Sequence, residues 1–175
     1  MVEMDREEQW KAWLAAGTPG EPHRLLGRFV GTWDTVGRTW MEGPDGPVSE
    51  SQGVVETRWL IPGLWLIEEV KTEMMGRPFQ GFSISGYDNV KKKHVGMWVD
   101  SLSTALLTME GHFDPEGKTL AVYGTSSDPA TGEHDKLMGY LTHLVDDDHH
   151  VFEIRDYSRR PEGVKTMVLE YARRR

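Results

Sequence analysis

The sequence predicts an all-β protein, a ten-stranded antiparallel up-and-down β-barrel with N-terminal helices closing one end. First, an apolar segment over residues 22–29 leads into Gly31-Thr32-Trp33, where the glycine permits a bend and the indole can plug one end of a barrel. Second, nine clusters of turn-forming residues divide the remaining chain into ten segments of strand length. Third, short connections make neighbouring strands antiparallel, and closure of ten such strands removes the exposed edges of the sheet.

The first segment, residues 3–16, is predicted to be helical. Trp10, Trp13 and Leu14 share one helical face because they are spaced i, i+3 and i+4, and Gly17 ends the helix. We expect the two tryptophans to dock this helix onto the barrel.

A second, short helix is predicted to begin at Pro22, because proline suits the first turn of a helix, and to end at Gly31. At 175 residues the chain is long enough for one domain with a sizeable core and short for two. We therefore expect an N-terminal helix and linker over residues 1–21 and a barrel domain over residues 22–175.

The strand segments after Thr32 are separated by clusters of Gly, Pro, Asn, Asp and Ser, which accept turn dihedral angles. The nine breaks fall at 43–47, 62–63, 76–78, 88–89, near 101, and at 114–117, 128–129, 146–148 and 160–163. No fixed-period repeat interrupts this pattern.

Alternation along the strands predicts which side chains point into the barrel. The inward set comprises Trp33, Thr35, Gly37, Thr39, Met41, Val55, Thr57, Trp59, Leu66, Glu68, Val70, Leu107, Met109, Phe113, Leu120, Val122, Met167, Leu169 and Tyr171. The strands near Ser83, Trp98, Tyr140 and Glu153 remain ambiguous by this rule. Because the inward set mixes large aromatic residues with threonine, glycine and a glutamate, it favours a ligand cavity over a solid core.

The candidate ligand-binding residues are drawn from this set and from polar groups at strand ends. They are Trp33, Val55, Trp59, Glu68, Trp98, Asp100, Met109, Tyr140, Glu153, Met167 and Tyr171. They predict that a small, largely apolar molecule binds inside the barrel. Two alternatives stay open: an isomerase or cyclase that uses an inward carboxylate such as Glu68 or Glu153, and a plugged barrel that acts through its surface.

Composition excludes several other classes of protein. The net charge of −8 disfavours nucleic acid as a partner, and no apolar segment approaches the roughly 20 residues of a membrane span. The chain has no cysteine and no basic, apolar leader, so we expect a cytoplasmic protein. Nothing in the sequence decides between a monomer and a homodimer.

The sequence also contains residue types that occur in catalytic and metal-binding motifs. Asp146-Asp147-Asp148-His149-His150 contains metal-ligand residue types, but adjacent strand residues point to opposite faces and the spacing matches no zinc motif. Ser83 lacks the glycine two residues later that a nucleophile elbow needs. No histidine is marked as a haem ligand. We therefore predict no catalytic serine, no metal and no cofactor.

Several segments of the chain resemble the bacterial domain-of-unknown-function family 1579. They are 22–34 (PHRLLGRFVGTWD), Trp59 with Pro62-Gly63, 74–81 (MMGRPFQG), 86–93 (GYDNVKKK), 98–101 (WVDS) and 146–153 (DDDHHVFE). The resemblance covers about residues 22–173. It implies a calycin-like β-barrel, similar in shape to lipocalins and fatty-acid-binding proteins, and it implies no activity.

Overall fold

The computed structural model describes residues 5–43, 45–74 and 76–175 of the chain. Within this part there are two short α-helices, one 3-10 turn and ten β-strands. The helices are α1 (Arg6–Ala16) and α2 (Glu21–Leu26), and the 3-10 turn spans Gly27–Phe29. The strands are β1 (Gly31–Thr39), β2 (Ser49–Ile61), β3 (Trp65–Met74), β4 (Arg77–Asp88), β5 (Lys93–Asp100), β6 (Leu107–Phe113), β7 (Thr119–Ser126), β8 (Lys136–Leu144), β9 (His149–Asp156) and β10 (Val164–Arg173).

The ten strands form one closed antiparallel barrel in which each strand pairs with its neighbours in sequence. The barrel closes where β1 pairs with β10, from Trp33 opposite Arg173 to Thr39 opposite Met167. Each predicted break overlaps one of the connections between consecutive strands, although Pro44 in the first break lies outside the described residues. The predicted ten-stranded up-and-down barrel is therefore confirmed.

Alternation in β1 follows the prediction as far as Thr39. Trp33, Thr35 and Gly37 are buried and alternate with exposed residues. Gly37 has no room for a side chain, because a Cβ there would lie 2.5 Å from Ser51 Oγ. The inward placement of Met41 was wrong: Met41 is 70% exposed, because β1 ends at Thr39 and the chain turns away before Met41.

One end of the barrel is closed by α2 and the 3-10 turn, as predicted. Leu26 of α2 is 1% exposed, and Phe29 stacks on Phe113 at the end of β6 with ring centroids 6.4 Å apart. The Trp33 indole Nε1 donates a hydrogen bond to the carbonyl oxygen of Phe29 at 2.9 Å. The indole thereby fixes the turn against the first strand.

The expected docking of α1 through its tryptophans was wrong. No residue of α1 is buried, and Trp10 and Trp13 are 63% and 75% exposed. The helix connects to the barrel through Asn89, whose side-chain amide donates to the carbonyl oxygens of Ala16 at 2.9 Å and Thr18 at 2.8 Å. Because α2 already covers the end of the barrel, the apolar face of α1 finds no barrel surface to bury.

The predicted helix over residues 3–16 is observed from Arg6, and residues 3 and 4 lie outside the described residues. Neither helix in the described ranges has the length and apolar character that crossing a membrane would need.

Candidate functional site

The barrel interior contains a cavity of about 370 Å³. This volume lies within the range of roughly 300–1,000 Å³ that is typical of small-molecule sites. Leu26 and Phe29 line its closed end, and Leu102, in the loop after β5, lines the opposite end. Leu102 is also 61% exposed, so the cavity reaches the surface at the end opposite the helices. The plugged-barrel alternative requires an interior filled by its own side chains, and this cavity shows that the interior is not filled.

Of the eleven candidate residues, eight line this cavity: Val55, Glu68, Trp98, Asp100, Met109, Tyr140, Met167 and Tyr171. They come from β2, β3, β5, β6, β8 and β10, and the barrel closure brings them around one space. That each of them contacts a ligand stays a prediction.

The ambiguous strands β4, β5, β8 and β9 also contribute to the cavity wall. Their inward residues are Phe79, Ser83 and Ser85 of β4, Trp98 and Asp100 of β5, Tyr140 and Thr142 of β8, and His150, Phe152 and Ile154 of β9. The wall is mostly apolar, with isolated hydroxyl groups between the large side chains.

Trp33 does not line the cavity. It is 1% exposed and packs in the core beneath the cavity with Val55, Val70 and Tyr171. Its position between the 3-10 turn and the strands makes it part of the closed end, as expected of an indole that plugs the barrel, and places it outside the residues that line the cavity.

Trp59 also lies outside the cavity lining. The pairing of β2 with β3 shifts register between Trp59 and Ile61. The indole lies next to Gly27, where an added Cβ would be 3.5 Å from its Cζ2 atom. Trp59 itself is paired in register with Leu66, and its contact with Gly27 places the indole at the helical closure, outside the residues that line the cavity.

Glu153 lies on the outer side of the barrel wall, because alternation in β9 turns His150, Phe152 and Ile154 inward. Lys165 Nζ donates to its carboxylate at 2.7 Å, and Arg155 Nη2 lies 2.9 Å away. Burial opposes ionisation of Glu153, but the hydrogen bonds from Lys165 and Arg155 outweigh it and hold the pKa below its usual value. Glu153 is thus corrected from a candidate cavity carboxylate to a partner in an outer ion-pair cluster.

Glu68 is the inward carboxyl group at the middle of β3. The Thr57 hydroxyl donates to its Oε2 atom at 3.3 Å. Burial raises the pKa of Glu68 to about 7, although this hydrogen bond acts in the opposite direction. Among the described residues, neither lysine nor arginine lines the cavity. Glu68 therefore carries its charge, when ionised, without a cationic partner in the wall.

Asp100 stands at the open end of the cavity and is already engaged by its neighbours. Its carboxylate accepts hydrogen bonds from the Trp98 indole at 2.7 Å and from the Leu102 backbone amide at 2.8 Å. Trp98 also stacks on Phe79, with ring centroids 6.4 Å apart. These contacts fix the Trp98 ring against the cavity wall.

His150 is a cavity residue that the sequence did not single out for ligand binding. It is 5% exposed and stacks on Tyr171, with ring centroids 4.2 Å apart, while Trp33 meets it edge-on at 4.4 Å. Its Nδ1 atom has no hydrogen-bond partner. Burial, and secondarily the charge of Arg173, lower the pKa of His150 to about 3, so the imidazole is neutral at ordinary pH. The sequence did not identify this position, because the alternation pattern allows either His149 or His150 to face the cavity.

The two adjacent histidines point to opposite faces, as predicted. His149 is exposed and its Nδ1 lies 2.9 Å from Asp146 in the preceding turn, whereas His150 lines the cavity. In the parts of the chain that the structure covers, no three His, Asp or Glu side chains are grouped so that they can hold a metal ion.

One solved structure supports the fold. Rv2717c from M. tuberculosis has a TM-score of 0.64 at 12% identity, with 90% of this chain and 100% of that chain covered. Two redesigned β-barrels have lower scores. For b11L5F_LGL the TM-score is 0.44 at 16% identity, covering 88% of this chain and 96% of the other. For mFAP1 bound to DFHBI it is 0.42 at 15% identity, covering 88% and 100%.

A search of curated protein sequences found no match. A family model described as "Protein of unknown function (DUF1579)" matches residues 18–173, which is nearly the whole chain and includes every strand of the barrel. The chain therefore belongs to the DUF1579 family.

Proposed function

We propose that this protein binds a small, largely apolar molecule in the barrel cavity. The observation that carries the proposal is the cavity itself, about 370 Å³ in volume and open at one end. Its wall is mostly apolar with a few polar groups, which is how small-molecule sites are usually built. Burial of a two-ring apolar molecule in such a space should give an affinity in the micromolar range, about −8 kcal/mol.

A cavity-filling substitution tests the proposal. Ser85 is inward and lines the cavity, and its neighbour Ile84 points to the other face of β4. The apolar fluorophore N-phenylnaphthylamine should bind the wild-type protein with one-site saturation. Ser85→Phe should abolish most of this binding, because the new ring occupies the cavity, whereas Ile84→Phe should leave it unchanged.

The folded state of each variant is checked by thermal unfolding. Equal probe binding by folded Ser85→Phe and wild type would place the probe on the surface and contradict the proposal.

One observation favours a second candidate function, proton transfer on a bound molecule. Burial raises the pKa of Glu68 to about 7, which suits a general base at neutral pH. The probe for this function is tetralone, an apolar ketone with acidic C–H bonds. Exchange of these hydrogens in heavy water, followed by NMR, should be faster with wild type than with Glu68→Gln. Equal rates for the two proteins would exclude Glu68 as a base for this probe.

A further inference from the structure

One polar level of the cavity wall runs across three neighbouring strands. Glu68 of β3 pairs with Thr57 of β2 and with Ser83 of β4, and all three side chains line the cavity. The inward residues before and after Glu68 on β3 are Leu66 and Val70, both of which are buried. At this level the wall therefore presents one carboxyl group flanked by two hydroxyl groups, with apolar side chains before and after it on β3.

The Glu68 carboxyl has unused hydrogen-bonding capacity. From the described part of the chain it accepts one hydrogen bond, from Thr57 at 3.3 Å, whereas an ionised carboxylate has room for about four. An ionised carboxylate in an apolar site is unfavourable unless a cation or several donors compensate it. The wall supplies no lysine or arginine among the described residues. A ligand that brings a cation or strong donor to this level would complete the site.

Among the described residues, the other ionisable groups around the cavity supply no positive charge. Tyr140 and Tyr171 are neutral, because burial raises the pKa of Tyr140 to about 12, and burial together with the charge of Glu68 raises that of Tyr171 well above its usual value. His150 is neutral because burial lowers its pKa to about 3. Asp100 brings no cation either, and its carboxyl group accepts hydrogen bonds from the Trp98 indole and the Leu102 backbone amide.

We propose that the cavity selects apolar molecules carrying a basic nitrogen, whose ammonium group binds between Glu68, Thr57 and Ser83, and that it rejects carboxylates of the same size. This inference rests on the proposed ligand-binding function. Opposite charges attract strongly in a cavity of low dielectric constant, whereas a ligand carboxylate would place two like charges together.

The test compares three ligands that share one apolar ring system: naphthylethylamine, naphthylethanol and naphthylacetate. Affinities are measured by displacement of N-phenylnaphthylamine and by calorimetry at about pH 8, where Glu68 is mostly ionised. Wild type should bind the amine about tenfold to hundredfold more tightly than the alcohol, which is the range for a hydrogen bond to a charged group. It should bind the carboxylate about tenfold more weakly than the alcohol.

Glu68→Gln keeps the shape of the side chain and removes the charge. In this variant the three affinities should fall within about threefold of one another, since charge no longer separates them. The matched control is Glu69→Gln, which removes a charge one residue away on the outer face, where Glu69 binds Lys71 and Gln80. This control should keep the wild-type preference for the amine.

A pH series on the wild-type protein gives a second readout that needs no variant. Between about pH 6 and 8, affinity for the amine should rise and affinity for the carboxylate should fall, because Glu68 ionises with a pKa of about 7.

An amine preference that persists in Glu68→Gln, or equal affinities of wild type for all three ligands, would overturn this inference and leave cavity binding standing. If even the neutral alcohol fails to bind, the proposed function fails as well.

Discussion

The guanidinium of Arg173, at the end of β10, lies over the indole ring of Trp33 in β1, with its Cζ atom 4.1 Å from the ring centroid. Arg173 Nη1 donates to the carbonyl oxygen of Val30 at 2.7 Å, and Nη2 donates to that of Arg28 at 3.2 Å. Because β1 and β10 close the barrel, this side chain joins the closing seam to the helical end. Its approach leaves no space for a side chain at Gly31, where a Cβ would lie 2.3 Å from Nη1.

Arg173→Leu should therefore lower the free energy of unfolding by about 2–4 kcal/mol, because it removes a cation–π contact and leaves several carbonyl groups unpaired. Chemical denaturation measures the loss. Arg174→Leu is the matched control, since Arg174 pairs with Asp34 on the exposed surface and surface pairs contribute little. Equal losses in the two variants would show that the seam contact does not stabilise the barrel.

Glu68 should make the protein less stable as the pH rises from about 4.5 towards 7. Its pKa is about 7 in the folded protein against an ordinary value of 4.5, so the folded state holds the proton more tightly than the unfolded state. The stability that this proton gives is complete below about pH 4.5 and is lost by about pH 7, a change of about 3 kcal/mol. Glu68→Gln should lack this component, so the stability difference between variant and wild type should grow with pH.

Unfolding free energies of both proteins at several pH values between about 4.5 and 8 check this expectation. A difference that stays constant across this range would contradict the buried, unpaired state of the carboxyl.

His150 should make the protein less stable as the pH falls, which is opposite to the effect of Glu68. Burial lowers its pKa to about 3 from an ordinary value of 6.5, so the unfolded state binds the proton more tightly. Its contribution to stability is present above about pH 6.5 and is lost as the pH falls towards 3, by about 3 kcal/mol at pH 4. His150→Phe should reduce this acid loss, because phenylalanine preserves the stacking on Tyr171 and the Nδ1 atom has no partner to lose.

His94→Phe provides a graded comparison. Burial lowers the pKa of His94 to about 4, and its Nδ1 atom also lacks a partner. The variant should reduce the acid loss in the same direction but by less than His150→Phe. Acid unfolding followed by tryptophan fluorescence gives the midpoint pH of the wild type and of the two variants. The midpoint should be highest for the wild type and lowest for His150→Phe. An unchanged midpoint in His150→Phe would contradict the prediction.

The architecture could be predicted because its determinants are local. Turn-forming residues mark every connection between strands, and outward charges such as Asp34 and Arg38 fix the faces of the first strand. Where both faces of a strand are half-buried, the alternation of polar and apolar residues does not predict which side chains face inward. Glu153 shows this: it is polar and lies on the outer face, yet Lys165 and Arg155 cover it so that it is only 9% exposed.

Other details depend on long-range geometry that a single sequence does not contain. The apolar spacing of Trp10 and Trp13 describes a helical face, but it does not reveal whether a surface is available to receive that face. The contact of the Trp59 indole with Gly27 likewise joins two parts of the chain that are far apart in sequence. Alternation could predict that Glu68 faces inward, whereas the absence of a lysine or arginine from the cavity wall, among the described residues, depends on all ten strands.

The last prediction uses the position of Trp98 to locate the ligand. Trp98 is the one tryptophan among the described residues that lines the cavity. Bromobenzene is a small apolar molecule whose heavy atom quenches indole emission at contact, so binding in the cavity should quench Trp98 selectively.

Trp98→Phe should remove most of the saturable quenching, because phenylalanine keeps the apolar wall but loses the indole. Trp10→Phe, on the exposed face of α1, should leave the saturable part unchanged. Calorimetry on Trp98→Phe shows whether bromobenzene still binds. If binding persists together with wild-type quenching, the molecule sits beside another tryptophan and the cavity is not its site.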